Sequence, residues 1–166
     1  MKNIEEIVVG IEDIPEAVNA RDLNQFISDG KFKSGAVEPA SRARVIVFQS
    51  WLGVGDSQVL VQLTKGRVFS IDHGDAFGQP SSLSEPRLVI TSIPGVLDDI
   101  GREPDLVRSA VKIIESITDD ELIKSVACMP SGEAWLSSYE RRWQIYRWLG
   151  YRRDKLWEVM GKWINI

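Results

Sequence analysis

Apolar residues recur every three to four positions over much of this chain and give way once, near its middle, to two short β-prone runs. From Pro39, residues Ala40, Ala43, Val47 and Trp51 fall at helical spacing, and a proline suits a first helical turn, where no backbone donor is needed. Val59 to Leu63 and Arg67 to Ile71 are rich in β-branched and aromatic residues. Thr64-Lys65-Gly66 separates them, with a glycine available for a positive φ, so the pair predicts a hairpin. From Pro104 the helical period returns, with Leu106, Ala110, Ile113, Ile114 and Ile117 on one face. Thr118 and Glu121 form a capping-box pattern that starts a short helix ending before Pro130.

Two further helices are predicted at the C-terminal end, one carrying Trp135, Tyr139, Trp143 and Tyr146 as a stripe and one carrying Leu156, Met160 and Trp163. At the other end, Pro15 is expected to open an amphipathic helix through Ala17, Val18, Phe26 and Ile27, with Gly30 as its stop signal. Gln79 to Glu85, serine-rich and flanked by prolines, reads as an exposed loop, and Pro94-Gly95 interrupts the short apolar run Leu88 to Ile90. The pattern gives a mainly helical α/β fold class in one domain over 1–166. Its parts are an N-terminal helical segment (1–38), a central loop-and-hairpin region (39–78), a loop (79–102) and a helical tail (103–166).

Composition narrows the partners. At 166 residues, 43% hydrophobic and 27% charged, the chain has the balance of a soluble globular domain able to bury a core without staples. A net charge of −4 argues against a general nucleic-acid binder, which needs a basic face for phosphate contacts. The single cysteine, Cys128, cannot form an internal disulfide, and neither a signal-peptide pattern nor a long apolar span is present. The cytoplasm is the expected compartment, with no membrane contact.

The chemistry concentrates around the predicted hairpin. Arg67-Val68-Phe69-Ser70-Ile71 delivers Asp72-His73-Gly74 at its end, and a strand that stops on a carboxylate beside a glycine can present an oxygen to a metal-phosphate complex. Trp51-Leu52-Gly53-Val54-Gly55-Asp56 offers a second loop carboxylate just before the first strand. Read without a family, Asp72-His73-Gly74 is equally a polar turn after a strand, and Asp56 a turn residue after a helix. His73 is the only histidine, which excludes a multi-histidine metal site.

The Trp-x-Gly-x-x-Asp segment, the hydrophobic strand after it and Ser70-Ile71-Asp72-His73-Gly74-Asp75-Ala76-Phe77-Gly78 together resemble the HipA-like kinase domain, itself distantly similar to the phosphatidylinositol kinases. The resemblance implies a protein-kinase-like C-terminal lobe with a small β-hairpin and a helical C-terminal tail. It implies magnesium and ATP as cofactors, Asp56 as the catalytic carboxylate and Asp72 as the metal ligand. His73 and Gly74 complete the nucleotide-side triplet.

Two departures accompany the resemblance. The family carries a metal-binding Asn a few residues after the catalytic Asp, whereas here Gln58 stands nearest that position in a shortened loop. A complete kinase also needs a phosphate-covering loop and a strand lysine, and Gly30, Gly35, Lys31 and Lys33 make no such pattern in the segment ahead of Asp56. The expectation is therefore a single kinase-like lobe acting as a protein-binding or regulatory module, with an N-lobe-bearing or full-length kinase as a candidate partner. A phosphotransferase completed by a second chain is the alternative.

Five of the six tryptophans lie after residue 130, where helical spacing suggests core packing. Arg141, Arg142, Arg147, Arg152 and Arg153 thread between them and read as a solvated or acid-paired helix face. Exposed Trp and Arg would instead mark this region as a partner-binding surface.

Overall fold

A proline at 39 and a left-handed glycine at 53 bound the longest run of buried helix. In the computed structural model, which describes residues 14–54, 58–71, 97, 100–128 and 138–164, that run is α2, Pro39–Leu52. Arg42, Ala43, Val45, Ile46, Val47, Gln49, Ser50 and Trp51 are all buried on it, so α2 is buried nearly all round, polar side chains included, and runs through the core. It packs against β3, α3 and α5.

The predicted hairpin forms as β2 (Gln58–Gln62) and β3 (Val68–Ile71), paired antiparallel with Gln58 opposite Ile71 and Val61 opposite Val68. Gly66 makes its turn possible. Its φ is 66°, and a Cβ there would meet the Ala36 carbonyl oxygen at 1.7 Å, so no other residue fits.

The predicted helix from Pro15 does not form. Glu16 takes a φ of 57°, which ends any helix at its first turn. The next three residues become β1 (Ala17–Asn19), pairing antiparallel with Leu60 to Gln62 in a three-stranded sheet ordered β1, β2, β3. Strand pairing takes up backbone groups that a helix would have used internally, and tertiary context overrides the local pattern. A short α1 (Leu23–Ser28) and a 3-10 turn (Ser34–Ala36) follow, with Gly30 at φ 69° after α1.

Downstream, α3 (Pro104–Glu115) starts at its proline as predicted, but its buried set is Val107, Ala110, Val111 and Ile114, with Leu106 only partly buried and Ile113 56% exposed. The apolar stripe is rotated from the predicted one because Val107 and Val111, not Leu106 and Ile113, complete the i, i+3, i+4, i+7 set with Ala110 and Ile114. Helix α4 (Asp119–Ala127) opens with the predicted capping box, Thr118 Oγ1 accepting from Glu121 N and Glu121 Oε2 accepting from Thr118 N at 2.7 Å. The two predicted C-terminal helices are one, α5 (Tyr139–Trp163), whose 25 residues span about 37 Å. The loop assigned to Gln79–Glu85 lies outside the described residues, as do Leu88 to Ile90 and Pro94-Gly95.

The tail also revises the aromatic reading. Trp148, Ile145, Leu149, Leu156 and Met160 enter the core, whereas Tyr139 is 86% exposed and Trp143 50%. Arg152, read from sequence as part of a solvated or acid-paired helix face, is 1% exposed. No described helix is long and apolar enough to cross a membrane.

Candidate functional site

The antiparallel register decides where the two acidic loops start. Because Gln58 is opposite Ile71, the chain enters β2 and leaves β3 at one end of the sheet, and the Thr64-Lys65-Gly66 turn lies at the other. Asp56 precedes Gln58 by two residues and Asp72 follows Ile71 by one. Asp56, Asp72, His73 and Gly74 themselves lie outside the described residues, as does Asp75.

Gln58, the predicted amide ligand, is the first residue of β2 and half-buried. The end of the hairpin is tied to α2 by a residue that sequence reading passed over. Gln49, fully buried, donates from Nε2 to Ser70 Oγ at 2.6 Å and to the Gln58 carbonyl at 3.5 Å. One side chain thus fixes both strands one residue or less from the loops that carry the aspartates. A glutamine on a helix face gives no period signal of this role, because a polar residue among apolar ones reads as a boundary.

The C-terminus of α2, four residues before Asp56, is fastened from the far end of the sequence. Gly53 takes φ 67° and ψ 38°, and its N–H and that of Val54 both return to the Gln49 carbonyl. This left-handed cap satisfies carbonyls a helix end would leave open. Arg152 on α5 completes it, donating from Nε to the Trp51 carbonyl at 2.7 Å and from Nη2 to the Ser50 carbonyl. Trp51 Nε1 donates in return to the Leu149 carbonyl at 3.0 Å.

The Arg152 guanidinium lies 4.3 Å from the centre of the Trp148 ring, which covers the same end of α2. Burial pushes its pKa down to about 10, so the side chain remains a cation at neutral pH. A positive group at a helix C-terminus also meets the negative end of the helix dipole, which compensates part of its desolvation. The clamp explains why α5 is positioned to hold the first acidic loop's entry.

What the two loops could hold follows from donor type. Of the residues read from sequence as ligands, Asp72 carries a carboxylate and Gln58 an amide oxygen, donor types that magnesium accepts. Among the described residues no cluster of three His, Cys, Asp or Glu side chains forms a separate metal site.

No protein-family model, no curated protein and no solved structure matches this chain.

Proposed function

We propose that this chain is a kinase-type lobe of the HipA-like kind that works as a protein-binding or regulatory module, retaining Asp72 as the group that would hold magnesium with ATP. The observation that supports the lobe is the pairing of Gln58 with Ile71, which starts both acidic loops from one end of a hairpin anchored by Gln49 to a buried helix. In chain order, the buried helix α2, Asp56, the two strands β2 and β3, and Asp72 follow one another.

What favours a module over a working enzyme is where two of the described lysines lie. Phosphoryl transfer is accelerated mainly by positioning and charge stabilisation, so a lobe without a lysine on the phosphates keeps little turnover. Lys65 lies in the turn at the opposite end of the hairpin, and Lys31 is engaged with Asp29 at 3.1 Å and lies over the Phe26 ring. The second reading is a phosphotransferase completed by another chain, in which Asp56 would orient the acceptor hydroxyl.

Radiolabelled ATP with magnesium and a generic hydroxyl acceptor separates the two. The purified chain is expected to transfer no phosphate to itself or to the acceptor. Transfer that disappears in Asp72→Ala would establish the enzyme reading instead.

A further inference from the structure

Strand β3 and helices α2 and α3 wall an open groove of about 590 Å³, a size that holds a small ligand. Its walls are tied together along their length. The Glu38 N–H donates to the Gly66 carbonyl at 2.8 Å, the Val68 N–H to Ser41 Oγ at 3.0 Å and Gln49 Nε2 to Ser70 Oγ at 2.6 Å. Arg67 therefore lies beside the start of α2 and Ser70 beside its last turn.

The two ends of the groove differ in chemistry. Glu38, Arg44 and Arg67 line it at the start of α2, and Phe48, Phe69, Ile113 and Ile114 give it an apolar wall further along. Ile113 stands 56% exposed at the rim, an apolar side chain that the fold leaves in solvent. Among the described residues that line the groove Glu38 is the one acid, and two cations share it. Its Oε1 lies 3.5 Å from Arg44 Nη2 and its Oε2 lies 3.8 Å from Arg67 Nε. Both contacts are longer than the roughly 2.7–2.9 Å of a charge-assisted hydrogen bond, and two guanidiniums against one carboxylate leave a surplus of one positive charge. In a chain whose net charge is −4, this end of the groove is locally cationic.

We infer that the groove binds a small amphipathic carboxylate, its head between Arg44 and Arg67 and its apolar body along Phe48, Phe69 and Ile113. The planar fork of arginine suits a carboxylate, and the head supplies the negative charge that Glu38 alone does not. From Glu38 to Phe48 the groove runs about 15 Å along α2, room for an extended acid of about ten carbons. A ligand of that size binds modestly, with a dissociation constant of roughly 0.1 to 1 mM. A cation of the same length meets the wrong charge. The inference goes beyond the lobe reading, uses neither Asp56 nor Asp72 and needs no nucleotide, so its failure would leave that reading intact.

Amide NMR of the isotope-labelled whole chain, titrated with decanoate and separately with decylammonium, tests it. Decanoate is expected to shift the amides of Phe48, Phe69 and Ile113 saturably, and decylammonium to bind at least tenfold more weakly. Arg67→Gln is expected to weaken decanoate binding at least threefold, and Ile113→Asp, which sets a second carboxylate on the rim, at least tenfold. Glu38→Gln, which releases both guanidiniums, is expected to strengthen it at least threefold, all three with unchanged far-ultraviolet circular dichroism. Ile123→Ser, which removes an exposed apolar side chain on α4, is expected to leave binding unchanged. No saturable shift at millimolar decanoate would overturn the inference. So would equal affinity for the two probes, or an affinity that Arg67→Gln and Glu38→Gln both leave where it was.

Discussion

Arg152 and Trp51 are 101 residues apart in sequence, yet the Arg152 Nε donates to the Trp51 carbonyl at 2.7 Å. The contact joins the C-terminal helix to the end of the helix that leads into the Asp56 loop. Local order at the candidate site therefore depends on a residue distant in sequence from every loop carboxylate.

Arg152→Ala is expected to destabilise the chain by about 3 kcal/mol, because it removes the partner of two helix-end carbonyls and opens a hole beneath Trp148. At this chain length that corresponds to a fall in Tm of about 10 °C. Arg152→Met, which fills the space, is expected to cost less. Thermal melts followed by circular dichroism check both.

The same guanidinium carries a pH signature. Its pKa in the fold is lowered to about 10 by burial, well below the ordinary guanidinium range, so between the two the unfolded chain binds more protons than the folded one. Stability contributed by this group is then low and level below pH 10 and rises as pH climbs beyond it. The stability difference between the native chain and Arg152→Met is expected to be flat from pH 6 to 9 and to shift toward the native chain above pH 10. Denaturant titrations of the pair across that range measure it.

Gln49→Leu is expected to cost about 1 to 3 kcal/mol, since the Ser70 hydroxyl and the Gln58 carbonyl lose their buried donor. Hydrogen exchange locates the damage. Amides near Gln58 and Ile71 are expected to exchange faster, while those near the Gly66 turn stay protected. Uniform acceleration throughout the sheet would mean that Gln49 only fills volume.

At the start of α4, Thr118→Ala is expected to cost about 1 kcal/mol, the usual worth of a helix cap. Hydrogen bonds from the Thr118 backbone and hydroxyl hold the Glu121 carboxyl below its usual range. Its contribution is therefore present above that range and is lost as pH falls through it. The difference between the native chain and Glu121→Gln is expected to vanish in acid, and urea titrations at pH 3 and pH 7 would reveal it.

Much of the fold was legible because its signals are local. Pro39 and Pro104 open helices where they stand, Gly66 turns the hairpin, and Thr118 with Glu121 caps α4. The misreadings arose where distant parts of the chain decide. Ala17-Val18-Asn19 becomes a strand only because β2 offers an edge, and Arg152 is buried only because α2 ends beneath it. Trp143 and Trp148 look alike in the sequence, and only the packing of α5 on α2 separates an exposed ring from a buried one. For the candidate site, Asp56, Asp72 and Gln58 are read from the sequence alone, whereas Gln49 and Arg152, which tie down the hairpin end and the end of α2, have no motif.

The proposal that Asp72 would hold magnesium with ATP is tested most directly by thermal stability against millimolar ATP, with and without magnesium. A ligand that binds only the folded state raises its apparent stability by mass action. The account predicts a magnesium-dependent rise in Tm that Asp72→Ala abolishes and Asp56→Ala largely preserves, because the acceptor-side carboxylate adds little to ground-state binding. No rise in the unmutated chain, or an equal loss in the two variants with circular dichroism intact, would contradict it.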